Sequence, residues 1–205
     1  MKGKLITFEG CEGSGKTTQV DLIKNYLDEN KIDYIYLREP GGTKISEKIR
    51  KIILDVENSE MTSHAEALLY ASARAQLLAE KVIPALEKGK LVVIDRYIDS
   101  SFAYQAYARG LGMEFISKIN SFAIENCMPD MTIFLDISPK KAFERKGGED
   151  KDDRLEQSGI DFHERVYQGY LSLSKIYKDR FVLIDSMRSI EEIHKDIVKN
   201  INRLI

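Results

Sequence analysis

Residues Gly10-Cys11-Glu12-Gly13-Ser14-Gly15-Lys16-Thr17 follow the spacing glycine, four residues, glycine, lysine, threonine. The chemistry that suits this spacing is the holding of a nucleoside triphosphate. The glycines let successive backbone N–H groups turn inward, and a helix starting at the lysine adds the positive end of its dipole. Lys16 can then reach the β- and γ-phosphates, the Thr17 hydroxyl can ligate Mg²⁺, and Thr18 carries the nucleotide site into the helix. An apolar run precedes the loop and an amphipathic stretch follows it, so a merely structural glycine turn is the weaker reading. The loop alone does not separate a kinase from a GTPase switch. Cys11 inside it reads first as a small filler side chain, and second as a thiol that the helix terminus activates, so that its oxidation would block ATP.

A second chemical position closes another apolar run. Leu91-Val92-Val93-Ile94-Asp95 reads as a buried strand ending in an acid. In a parallel sheet the carboxyl ends of the strands form the ligand crevice, so Asp95 is placed to hold the Mg²⁺ shell, directly or through water. Its neighbour Arg96 is placed to bridge donor and acceptor phosphates. Glu9 ends the first run, immediately before the glycine loop. Bound phosphates would repel a carboxylate there unless Mg²⁺ or an arginine lay between. Glu9 is therefore a candidate for orienting Mg²⁺, its waters or an arginine, and not for general-base work on an ionised phosphate.

The elements that must position these groups follow from periodicity. Strands are predicted at Lys4–Glu9, Tyr34–Leu37, Leu91–Asp95, Thr132–Leu135 and Phe181–Ile184. Helices are predicted at Lys16–Glu29, Ile45–Leu54, Ser63 to near Gly89 with a kink at Pro84, across Ser100–Asn126, from Ser138-Pro139, at Asp161–Lys178, and from Ser189 to the end. Ser63 with Glu66, and Ser189 with Glu192, have capping-box spacing. Strands alternating with helices imply an α/β fold with a parallel sheet covered on both faces. The 205 residues suit one domain with a small lid near residues 140–156, where the charged stretch KGGEDK falls. The net charge of −2 gives no basic field to draw the chain to nucleic acid or membrane, so a bound anion needs local groups. Two cysteines make no disulfide framework, no apolar run reaches membrane-spanning length and no signal pattern opens the chain, so a cytoplasmic location is expected. His64, His163 and His194 are scattered without metal-ligand spacing, and no guanine-reading N-K-x-D motif is present.

Several blocks occur together and in order: Phe8-Glu9-Gly10; Arg38-Glu39-Pro40-Gly41-Gly42-Thr43; Leu68 to Gln76; Asp95-Arg96-Tyr97 to Gln105; Phe134-Leu135-Asp136; Asp153-Arg154-Leu155-Glu156; and Phe162-His163-Glu164-Arg165 to Tyr170. The chain resembles the thymidylate kinase family of bacterial type over nearly its whole length, and the Arg-Glu-Pro-Gly-Gly and Asp-Arg-Tyr blocks are far more specific than the phosphate loop. The resemblance implies a P-loop NTPase-like core of five parallel strands, a homodimer, and transfer of a phosphoryl group from Mg²⁺-ATP to thymidine monophosphate. It implies that Tyr70, where the family usually has Phe, stacks on thymine, and that Arg74 donates to thymine O4, which cytosine's amino group could not accept. It further implies that Ser101 and Gln105 meet the base edge, Tyr104 crowds C2′ of the sugar, Arg38 and Arg96 hold the acceptor phosphate, and Tyr170 closes over the acceptor. The loop lacks an arginine, so the chain resembles the subtype whose catalytic cation lies in the lid. Arg145, Lys146, Lys151 and Arg154 are the cations there, and Arg145 and Arg154 are favoured.

Overall fold

The computed structural model describes residues 3–147 and 154–205, so Lys151 and much of the expected lid lie outside the described residues. Five parallel strands, β1 (Leu5–Glu9), β2 (Tyr34–Arg38), β3 (Leu91–Asp95), β4 (Met131–Asp136) and β5 (Phe181–Asp185), form one sheet in the order β2-β3-β1-β4-β5. The helices are α1 (Lys16–Glu29), α2 (Lys44–Leu54), α3 (Ser63–Leu77), α4 (Ile83–Glu87), α5 (Ile98–Ser101), α6 (Met113–Ile119), α7 (Ser121–Asn126), α8 (Pro139–Lys146), α9 (Ile160–Ile176) and α10 (Ile190–Leu204).

Strand alternation divides the core between two faces. Ile6, Phe8, Val93, Ile133 and Leu135 point toward Val20, Ile23 and Leu27 of α1 and Ile193, Ile197 and Ile201 of α10. Leu5, Val92, Ile94 and Phe134 point the other way, toward Leu77, Phe102, Phe162, Val166 and Tyr170. Both faces are covered, which is why the strands read as continuous apolar runs.

The second face also carries a buried polar network. Asp99 of α5 is fully buried and takes two bonds from Arg180, at 2.6 and 2.7 Å, and one from Thr132 Oγ1 at 2.8 Å. Thr7 Oγ1 donates to Thr132 at 3.1 Å, and the Arg180 guanidinium lies over the Tyr177 ring at 4.5 Å. The short turn after β3 is thereby tied to β1, β4 and the entry to β5.

The predicted elements form, with local corrections. Ser63 is not the cap of α3. Thr62 is, accepting from Ala65 N at 3.3 Å, and Glu66 turns into the protein rather than back to the cap. Ser138 precedes α8 without a side-chain cap bond, whereas Ser189 and Glu192 form the expected box. The helix from Ser63 is interrupted by a π-helical turn at Leu78–Val82 just before Pro84, whose ring and missing N–H disrupt the regular ladder. The Ser100–Asn126 region likewise divides into α5, a π-helical stretch Phe102–Ala108, α6 and α7. No described helix is long and apolar enough to cross a membrane.

Breaking the Asp99–Arg180 pair from one side leaves a carboxylate buried without its counter-ion. Arg180→Ala is expected to lower stability by about 3–5 kcal/mol, read as a fall in the urea midpoint at unchanged m-value. A loss below about 1 kcal/mol would show the pair to be effectively solvated.

Candidate active site

Pairing of β1 with β3 places Phe8 opposite Asp95, and beyond the strands Arg96 N donates to Phe8 O at 2.9 Å. The loops after these strands therefore leave the sheet side by side. In the first loop, Gly15 caps α1 with φ +89°, and a side chain at Gly13 (φ +75°) would strike Ala142 O of α8. Lys16 Nζ donates to Gly10 O at 3.0 Å and Cys11 O at 3.1 Å, so the lysine is folded back over its own loop. Burial, with Arg96 nearby, lowers its pKa to about 8. Ser186 Oγ braces the loop through Ser14 O at 2.7 Å, while Thr17 and Thr18 are exposed at the start of α1. Cys11 is 4% exposed, packs with Ile137 and Ala142, and donates its thiol to Ile137 O, which supports the filler reading over the redox one.

Asp95 and Arg96 end the neighbouring strand. Asp95 Oδ1 and Arg96 Nη1 are buried without a hydrogen-bond partner among the described residues. An orphaned acceptor beside an orphaned donor, next to a phosphate loop, fits a cation shell and a phosphate oxygen respectively. Arg96 adopts φ +60°, rare for a residue with a side chain, and its guanidinium lies over Tyr104 at 5.5 Å.

A partly enclosed cleft lined by polar and aromatic side chains opens beside this pair. Arg38, Tyr70, Arg74, Asp95, Arg96, Ser101, Tyr104 and Gln105 all line it, so eight of the expected site residues from four chain segments meet around one space. The lining excludes the phosphate loop, which lies on the other side of the Asp95–Arg96 wall. Sequence reasoning missed Glu39, Arg50, Leu54, Ser100 and Leu155, which also line the cleft. Glu39 had a signal, since it sits inside the Arg-Glu-Pro-Gly-Gly block.

Arg74 is almost fully buried, and its guanidinium is heavily committed. Nε donates to Glu39 Oε2 at 2.8 Å, Nη1 to Ser101 Oγ at 2.9 Å and Asn120 Oδ1 at 2.7 Å, and Nη2 to Tyr97 O at 3.2 Å. Burial raises Glu39 to about 6 despite this ion pair. Arg38 is half exposed and bonds Glu47 at 3.0 and 3.2 Å and Pro40 O at 2.9 Å. The Glu39–Pro40 peptide is cis.

Three expectations require correction. Glu9 is not disposed as a metal ligand. Its Oε1 accepts from Tyr97 N at 2.8 Å, and its Oε2 accepts from Ser100 Oγ and Tyr170 OH at 2.7 Å each. Tyr170 does not close over the cleft; it is 1% exposed, stacks on Phe134 and holds Glu9 from beneath. Arg154 is not presented to the phosphate loop, because its Nη2 pairs with Glu66 Oε2 at 2.6 Å and its Nε with Ile53 O at 3.0 Å. Arg145 lies closer to that loop, since its Nη2 donates at 2.9 Å to the carbonyl of Ser186, the residue that braces Ser14. The side chain of Lys146, like all of Lys151, lies outside the described residues.

The family model described as thymidylate kinase matches residues 8–197. A thymidylate kinase of Caldanaerobacter subterraneus subsp. tengcongensis is 48% identical over 205 residues, covering 100% of this chain and 98% of its own length. One from Acholeplasma laidlawii is 49% identical over 198 residues, covering 96% and 97%. One from Ligilactobacillus salivarius is 45% identical over 208 residues, covering the whole of both chains.

Glu9 makes a checkable electrostatic prediction. Burial, then the charge of Asp99, raises its carboxyl from 4.5 to about 7. Between those values the folded chain binds more protons at Glu9 than the unfolded chain does. The stabilisation from protonated Glu9 is thus present below pH 4.5 and is lost as pH rises through 7, on the order of 3 kcal/mol in all. Urea midpoints at pH 5 and pH 7.5 should fall more steeply for the natural chain than for Glu9→Gln. Equal slopes would assign the titration to other groups.

Proposed function

The chain belongs to the thymidylate kinase family and phosphorylates thymidine monophosphate to the diphosphate, a step in dTTP biosynthesis; we propose that its donor is Mg²⁺-ATP and that the residues described above divide the work as follows. The observation that carries this division is the orphaned pair Asp95 Oδ1 and Arg96 Nη1 on the wall shared by phosphate loop and cleft.

ATP phosphates lie along Gly10–Thr18, and Lys16 leaves the carbonyls of Gly10 and Cys11 to meet them. Phosphate oxygens restore the charge that burial disfavours on Lys16. Thr17 and Asp95 would hold Mg²⁺, which when bound would neutralise charge on the donor phosphates. Glu9 acts through its neighbours, fixing the Tyr97–Ser100 turn that carries Arg96 forward. The acceptor base stacks on Tyr70, with its polar edge toward Arg74, Ser101 and Gln105. Because Arg74 is so fully engaged, thymine O4 gains its bond by replacing one existing acceptor, and Ser101 Oγ is the neutral side-chain acceptor most easily released. Tyr104 lies against the sugar at C2′, where a ribose hydroxyl would be crowded.

At the other end of the cleft Arg38 and Arg96 hold the acceptor phosphate. Arg96 donates its unpartnered Nη1 to an oxygen between the two nucleotides, so its contact strengthens as charge spreads in the transition state. No strong base is required, because the attacking phosphate oxygen is already ionised. Arg145 is the better-placed cation for the transferring group, reaching it by releasing Ser186 O. Arg154 anchors the far end of the segment. We further assign the chain a single domain with a lid about residues 140–156, a cytoplasmic location and a homodimer. The exposed Leu68, Tyr107, Met113 and Phe122 of the α3–α7 region supply apolar surface for the dimer.

Two measurements test this reading. ADP release with a panel of monophosphates should favour thymidine monophosphate over deoxycytidine and uridine monophosphates by about 10²-fold or more in kcat/KM. Preference for another acceptor would remove the base-site roles while leaving the donor site standing. Arg96→Ala should lower kcat by about 10²–10³-fold at unchanged Tm, and near-normal turnover would remove its bridging role.

A further inference from the structure

Glu66 is 1% exposed and belongs to no site described so far, although it shares a helix stripe with two residues that do. On α3 it precedes Tyr70 by four residues and Arg74 by eight, so all three project from one face. Its carboxylate gathers three donors from two other segments, the stretch 102–109 and the chain at Arg154. Gln105 Nε2 donates to Oε1 at 3.0 Å, Arg109 Nη2 to Oε2 at 3.1 Å, and Arg154 Nη2 to Oε2 at 2.6 Å. The two guanidinium groups compensate the buried charge, so the carboxylate is supported from both sides.

We propose that Glu66 is a positioning residue for base specificity: by accepting only, it fixes which atom of the Gln105 amide faces the acceptor base. A carboxylate has no proton to donate, so the amide atom turned toward Glu66 is the nitrogen. The carbonyl Oε1 of Gln105 is then the amide atom turned away, and Gln105 is among the residues lining the cleft. Gln105 is itself 2% exposed, with its backbone carbonyl tied to Leu111 N at 3.2 Å, which leaves the side chain little freedom to reverse. The cleft is thereby given a fixed acceptor. Thymine and uracil carry a donor at N3–H that satisfies it, whereas cytosine presents a lone pair at N3 and would leave two acceptors facing each other. Arg74 and Gln105 then read adjacent atoms of one base edge, the first as donor and the second as acceptor. The assignment of Gln105 to the base edge rests on the function proposed above.

Glu66→Gln keeps the shape and removes the constraint, because a glutamine can offer either its oxygen or its nitrogen to Gln105. In this variant the ratio of kcat/KM for thymidine monophosphate over deoxycytidine monophosphate is expected to fall at least tenfold. The change should lie mainly in KM, with kcat at saturating thymidine monophosphate changed less than about threefold. Glu66→Asp, which still only accepts, should retain the ratio. A ratio within twofold of the natural chain in folded Glu66→Gln overturns the proposal, and so does equal loss in Glu66→Asp. Arg154→Met removes a partner of Glu66 without changing its acceptor character; if it alone reproduces the collapse in ratio, the effect travels through Arg154 and the proposal falls.

A measurement on the unaltered chain covers the case in which the variants fail to fold. N3-methyl-thymidine monophosphate, competing against thymidine monophosphate, should bind at least tenfold more weakly, and equal binding overturns the proposal. If the unaltered chain shows no preference for thymidine monophosphate in the acceptor panel, the premise fails with it. That outcome is distinct from a preference that merely survives Glu66→Gln.

Discussion

Parallel pairing continues past the ends of β1 and β3, and the active site depends on it. Arg96 N reaches Phe8 O, and one residue further Tyr97 N reaches the Glu9 carboxylate. These two bonds set the phosphate loop and the Asp95–Arg96 wall at a fixed offset. A slip of one residue would turn Asp95 and Arg96 to opposite faces and exchange the apolar sets of both strands. The register is therefore guarded by the core: Ile6, Phe8 and Val93 face α1 and α10, while Leu5, Val92 and Ile94 face the other helical layer. Packing that stabilises the sheet thus also fixes how the phosphate loop and the Asp95–Arg96 pair are set against each other.

The polar groups on the second face divide their tasks by the partners they have. Asp99 and Arg180 are paired and fasten the turn after β3 to the sheet. Glu39 and Arg74 are paired at the cleft wall, with Glu39 Oε1 still without a partner among the described residues. Glu66 has two arginines, whereas Glu9 is satisfied by a backbone N–H and two hydroxyls. Its pKa is accordingly raised further than that of Glu39, to about 7 against about 6. Such buried pairs add little net stability over apolar packing, but each resists any geometry that separates its members. In a site that works by alignment, that resistance is the useful property.

The same reasoning explains why the backbone departs from regularity where it does. Positive φ at Arg96 breaks the extended backbone at the end of β3, and its guanidinium lies over Tyr104 at the cleft. The π-helical stretch Phe102–Ala108 lies where Tyr104 and Gln105 must both face the cleft, and π-turns shift side-chain direction within a helix. Gly169 of α9 lies opposite this stretch, and an added Cβ would meet Ala103 Cα at 3.0 Å, so the two elements approach at backbone contact.

The sequence by itself determined the alternating order of strands and helices and the phosphate loop, because short-range spacing and hydrophobic period are local properties of a chain, whereas most of the residues that gather around the cleft were pointed to by the family resemblance of the ordered blocks. The structure brings Tyr70, Arg74, Asp95, Arg96 and Gln105, from two of the ordered blocks, around one cleft. The sequence did not show the buried partners of Glu9, Tyr170, Glu66 and Arg154. Each of these is a polar side chain whose partner lies far along the chain: Tyr170 with Glu9, and Arg154 with Glu66. Glu66 stands at capping-box spacing from Ser63, and nothing local shows that Gln105, Arg109 and Arg154 converge on it instead. Tertiary structure decided which way these groups point, because burial makes an unpaired charge costly and the partner that relieves it is supplied by the fold, not by the neighbouring residues.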